Sequence, residues 1–156
     1  MTHVRIATGA EQPINRDAAV SQIAGEEGDL VGMDANGDWQ AADADSGVAQ
    51  KASGVLAAPV TDLSNFPNEE LRVVVEANRE LVGENRISVV KYGVILENAD
   101  EDWGFTPGEP VYLAPGGGYT QTKPSDAGDL VQIVGEATDD GEALFLDVET
   151  GYEVVA

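Results

Sequence analysis

The chain has no cysteine, a single histidine, three lysines and nine aromatic residues in a length of 156. Without cysteine there are no disulfides, zinc-thiolate sites or thiol nucleophiles, and the redox compartment is left undecided. The histidine is His3, so a Ser-His-Asp arrangement or a His-rich metal site would have to recruit a terminal residue. No apolar run approaches the roughly 20 residues that a membrane-crossing helix needs, and the opening residues do not read as a signal peptide. Positive charge is scarce: 8 Lys+Arg face 29 Asp+Glu, a net charge of −21. A surface of that sign repels phosphate backbones and anionic bilayers, so neither a nucleic-acid nor a membrane partner is expected.

What the chain does have points to strands. There are 19 Val and 6 Ile against 10 Leu, a β-branched bias. Eighteen Gly and seven Pro imply many turns. The 42% apolar content is enough for a packed core in spite of the charge, and a chain of this size buries about two-thirds of its unfolded surface as one domain. Many acidic residues with almost no Lys is the composition of a protein kept soluble in molar salt, where the Debye length falls to about 3 Å and self-repulsion is screened.

Charge is unevenly distributed. In residues 1–25, Arg5 and Arg16 balance Glu11 and Asp17, so everything after carries the whole −21. This neutral opening is expected to be an extended N-terminal arm, either a frayed terminus or an arm lying on a partner. Residues 26–156 are expected to be a single β-rich domain of short hairpins, a compact barrel or sandwich. Asn36-Gly37 is a two-residue hairpin signal, and Asp139-Asp140-Gly141 lies between two apolar runs, 130–137 and 143–148. Further strands are expected at 53–60, 71–76 and 87–96, with an irregular segment at 77–86. Two hairpin modules, about 28–60 and 108–148, share a pattern: Gly28-Asp29-Leu30-Val31 to Trp39 resembles Gly108-Glu109-Pro110-Val111 to Tyr119, and Gly54 and Gly135 follow at offsets of 26 and 27 residues.

Motifs for catalysis are weak. There is no Gly-x-Ser-x-Gly, and the triple glycine 116–118 is not followed by Lys-Ser/Thr, so it is no phosphate loop. Twenty-nine carboxylates make accidental pairs inevitable, and none can be singled out as a glycosidase pair. Asp34, Asn36 and Asp38 alternate oxygen ligands, and Asp45 falls at the twelfth position of a calcium loop. Trp39 stands where that loop needs its tight-turn glycine, so a hairpin is the main reading and a surface cation site the alternative. No catalytic residue and no cofactor are expected.

The run Trp103-Gly104-Phe105-Thr106-Pro107-Gly108-Glu109-Pro110-Val111-Tyr112-Leu113, continued by Gly118 to Pro124 and by Gln132 to Ala137, resembles a β-module of the capsid decoration (cement, or head-stabilising) proteins of tailed phages and haloarchaeal tailed viruses. Gly28-Asp29-Leu30-Val31 and Gly54-Val55-Leu56 look like its N-terminal half, and the resemblance spans about residues 20–148. It implies a β-rich homotrimer on the outer surface of the virion that bridges major capsid subunits, with no catalytic residues to transfer. The extreme acidity and a longer polar insertion at 61–86 depart from the pattern. The neutral opening and residues 71–92, net +1, are the expected low-charge patches. Candidate capsid or subunit contacts are therefore Val4, Arg5, Ile6, Ile14, Arg16, Arg72, Arg79 and Arg86; the aromatics Trp103 and Phe105 read first as core anchors and join them on the alternative reading of a subunit interface. Competing readings are a head fibre, turret or tail component, and a carbohydrate-binding or hydrolytic β-domain.

Overall fold

A computed structural model describes residues 4–9, 14–17, 25–57, 86–100 and 102–156. The chain is all-β, and no helix occurs among the described residues. The expected strand at 71–76, the irregular segment at 77–85, the insertion at 61–85, His3, Arg72 and Arg79 lie outside them.

Among the described residues thirteen strands run in chain order: β1 Val4–Gly9, β2 Ile14–Asp17, β3 Leu30–Met33, β4 Trp39–Ala41, β5 Gly54–Leu56, β6 Arg86–Val90, β7 Tyr92–Asn98, β8 Pro110–Leu113, β9 Tyr119–Thr120, β10 Leu130–Val131, β11 Ile133–Ala137, β12 Ala143–Asp147 and β13 Glu153–Val154. They form a six-stranded sheet ordered β1-β7-β12-β11-β8-β9, a five-stranded sheet ordered β2-β6-β5-β3-β4, and the pair β10-β13, all antiparallel. No sheet closes into a barrel; β1 and β9 end the larger sheet unjoined. The opening segment, expected as an extended arm, contributes β1 and β2 as the edge strands beside β7 and β6. The backbone groups that face β7 and β6 join the sheet ladders, and the Ile6 N–H goes to Glu27 Oε1 at 3.4 Å.

The two sheets share one plan. Set the extra edge strand β1 aside, and each is laid out first-fifth-fourth-second-third in its own chain order: β2-β6-β5-β3-β4 and β7-β12-β11-β8-β9. The registers agree. Gly32↔Gln40 and Met33↔Trp39 become Tyr112↔Thr120 and Leu113↔Tyr119 on adding 80. Val31↔Gly54 corresponds to Val111↔Gly135, and Leu56↔Val89 to Ala137↔Leu144. Even the turn bonds repeat: Gly37 N–H to the Asp34 carbonyl, 3.1 Å, and Gly117 N–H to the Ala114 carbonyl, 3.0 Å.

Glycine explains the tightest of these matches. A Cβ on Gly54 would lie 2.8 Å from the Val90 carbonyl oxygen and 2.4 Å from Val89 Cγ1. A Cβ on Gly135 would lie 2.4 Å from the Phe145 carbonyl oxygen and 2.8 Å from Leu144 Cδ1. In both sheets the strand can approach its neighbour this closely only with a residue that has no side chain.

The sheets stack front to back. In the five-stranded sheet Leu30, Val55 and Val90 join the main core, beside Val94, Leu96, Val111, Leu113, Leu144 and Leu146 of the six-stranded sheet. The opposite face carries a second buried cluster: Val31, Trp39, Leu56 and Val89, with Met33 against it. Its register counterparts Val111, Tyr119, Ala137, Leu144 and Leu113 all pack in the main core. The same face of the plan thus meets different neighbours in the two copies.

Between the sheets the fastener is Gln132, 1% exposed. Its Oε1 accepts from the Ala52 N–H at 2.7 Å, and its Nε2 donates to the carbonyls of Ala52, 2.8 Å, and Glu149, 2.7 Å. An amide side chain here imitates a strand residue and leaves no buried polar atom of its own unpaired.

Candidate interaction surface

Acidic side chains near the turns are occupied with structure. Asp34 Oδ1 accepts from the N–H groups of Asn36, 2.8 Å, and Asp38, 3.0 Å, and Oδ2 accepts from Gln40 Nε2 at 3.4 Å. These bonds, chiefly the one from Asp38, hold its carboxyl below the ordinary value. They also correct the expected two-residue hairpin. Gly37, at φ 86°, closes an Asp34–Gly37 turn inside the longer Met33↔Trp39 connection, because the Asp carboxylate gathers the turn's N–H groups. Asp140 does the same for the β11–β12 hairpin, accepting from Thr138 Oγ1 at 2.6 Å and the Glu142 N–H at 3.0 Å, which lowers its pKa. Asp43 takes the N–H groups of Asp45 and Gly116, each at 2.8 Å, and the buried Asp129 takes that of Ser46 at 3.1 Å. The suggested cation ligands Asp34, Asn36 and Asp38 therefore meet around an Asx turn. Among the described residues no group of three or more His, Cys, Asp or Glu is placed to hold a metal.

The proposed contact residues separate. Val4 is buried in the main core and Ile6 packs against it, while Arg5 pairs with Glu97 on the neighbouring strand. Ile14 and Arg16 lie in β2, and Arg86 opens β6 as the register partner of Asp17. Trp103 and Phe105 stack at 5.1 Å between ring centroids, and Trp103 meets Tyr119 at 5.4 Å. This trio leans on the main core and is anchored by the Tyr119 hydroxyl, which donates to the Gly28 carbonyl at 2.6 Å. Burial, then the Asp29 carboxylate, pushes the Tyr119 pKa well above the usual phenol value. At the equivalent position in the other sheet, Trp39 Nε1 is buried and has no hydrogen-bond partner among the described residues.

The surface that sequence reasoning missed is the outer face of the six-stranded sheet. Phe145 is 48% exposed between the buried Leu144 and Leu146. It faces Ile95 on one side and Glu136 on the other, and Ile133 pairs with Tyr112. Register slips at Ile133/Gly135 and Phe145/Asp147 bend this face. Three adjoining hollows of about 340, 400 and 520 Å³ follow it toward the C-terminal strand. The signal available in the sequence was the alternation Ala143-Leu144-Phe145-Leu146-Asp147, which places an aromatic on the solvent side of a strand.

No protein-family model matches the chain, and neither does any curated protein or solved structure.

Proposed function

We propose that this chain is a virion structural protein that decorates the icosahedral capsid of a tailed virus and stabilises it by bridging major capsid subunits. On this reading it sits on the outer surface of the capsid as a homotrimer, acts without a cofactor and makes or breaks no covalent bond. The observation that carries the reading is the outward apolar face of the six-stranded sheet. A brace needs a stiff body and a sticky side. Here two stacked sheets share one core, while four of the five large apolar side chains left exposed among the described residues, Tyr92, Phe145, Tyr152 and Val154, gather on or beside one face. Such a patch is apolar area that association would remove from water.

The test is mechanical. Particles stripped of the chain and particles reconstituted with it are heated in molar salt, and genome release is followed by nuclease sensitivity. The chain is expected to raise the release temperature. Identical release curves, with the chain bound or absent, would end the proposal.

A further inference from the structure

We infer that the outer face of the six-stranded sheet is a docking surface for a protein segment bearing apolar side chains flanked by Lys or Arg. The inference deepens the reading above and rests on it only for where the segment resides, namely on a shell subunit.

The shared plan of the two sheets singles out this face. In the five-stranded sheet the corresponding positions are Leu30, Val55 and Val90, all buried against the other sheet. In the six-stranded sheet they are Pro110, Glu136 and Phe145, and among the described residues nothing covers Glu136 or Phe145. A surface selected only for solubility has no use for an outward Phe beside Ile95. A surface that meets a partner does.

The hollows define the partner's shape. They share Ile133 and Glu149 at one junction, and Lys123, Val131 and Glu153 at the other, so they make one continuous groove. An extended segment fits such a groove, with its apolar side chains entering the hollows.

Charge then decides between occupants. The groove is flanked by Glu136, Asp147, Glu149 and Glu153 against the single cation Lys123. None of those four carboxylates has an ion-pair partner among the described residues. A second copy of this chain would bring the same four carboxylates against them, and like charges in contact oppose association. A segment carrying Lys or Arg beside its apolar residues supplies the missing sign.

The experiment titrates the full chain, by calorimetry, with a synthetic peptide alternating valine and lysine. The controls are the same peptide with glutamate for lysine and one with serine for valine. Only the valine–lysine peptide is expected to bind. Glu136→Lys and Phe145→Glu should each weaken it about tenfold or more, while Val48→Glu, at the exposed apolar side chain outside the groove, should leave it unchanged. Should Phe145→Glu not fold by circular dichroism, Tyr152→Glu takes its place. Equal binding of the serine–lysine peptide would reduce the effect to general attraction by an acidic protein and overturn the inference. So would absence of binding, or indifference to all variants. Self-association abolished by Phe145→Glu would overturn it in favour of a second copy. The capsid reading is separable. Particles that retain wild type and both groove variants alike sink the docking face alone. Particles that never retain the chain, with peptide binding intact, sink the capsid role alone.

Discussion

The five-stranded and six-stranded sheets use one strand order and one register, yet they bury opposite faces against each other. The smaller sheet puts Leu30, Val55 and Val90 into the common core and keeps Val31, Leu56, Val89 and Trp39 in a second cluster on its far side. The larger one turns the counterparts of that second cluster inward, to the common core, and leaves Glu136 and Phe145 in solvent. A register fixes which residues share a face. It does not fix what covers the face, and that is where the two copies diverged.

The comparison is most severely tested at the paired glycines. Gly54→Ala and Gly135→Ala should each cost about 3 kcal/mol in chemical denaturation, since a methyl has nowhere to go. Gly135→Ala should be the worse, because its nearest obstacle is a backbone oxygen that cannot rotate away. A negligible cost at either site would mean that the strands can separate there, and the equivalence would lose its physical basis. Next comes Gln132→Leu, which removes two hydrogen bonds to the Ala52 backbone just ahead of β5 and one to the Glu149 carbonyl just after β12, and strands one N–H and two carbonyls. About 2–3 kcal/mol of stability should be lost.

A smaller effect separates the equivalent aromatics. Tyr119→Phe deletes a hydrogen bond that is made, and should cost about 1 kcal/mol. Trp39→Phe deletes a donor that has no partner, so its cost should reflect lost volume alone. A double-mutant cycle of Tyr119 with Trp103 should show coupling, and one with Trp39 should not. Because burial raises the Tyr119 pKa, its contribution is complete below the unfolded phenol pKa, near 10, and fades as pH rises through the folded value.

The smallest effect lies at the turn carboxylates. Asp34 and Asp140 have lowered folded pKa values, so each stabilises the fold above its unfolded pKa, near 4, and loses that contribution as pH falls through the folded value. Asp34→Asn and Asp140→Asn keep an acceptor oxygen and lose the charge. Thermal melts from about pH 7 to about pH 2 should show a shallower acid limb for each variant, starting from a slightly lower stability in neutral conditions.

Much of the fold was legible because β-branched runs and turn glycines are local signals. The hairpins around Gly37, Gly117 and Gly141 could be read from Asn-Gly, the triple glycine and Asp-Asp-Gly, all with positive φ in the structure. The length of the first connection was misjudged because the pull of the Asp34 carboxylate on its neighbours' N–H groups is not visible in a dipeptide. Pairing of β1 with β7, across some 90 residues, depends on which edge is left open and cannot be read locally. The interaction surface was the least legible. Arginines drew attention as rare cations, whereas Arg5 spends its charge on Glu97. Phe145 lies in a run that reads as ordinary core until the sheet assigns its side.

Image reconstruction of intact particles by electron cryo-microscopy tests the central claim most directly. The account predicts density for two stacked sheets on the outside of the shell, with the groove beside Phe145 filled by a segment of a capsid subunit. Particles with no such density, or with the groove open to solvent while another face makes the contact, would contradict it.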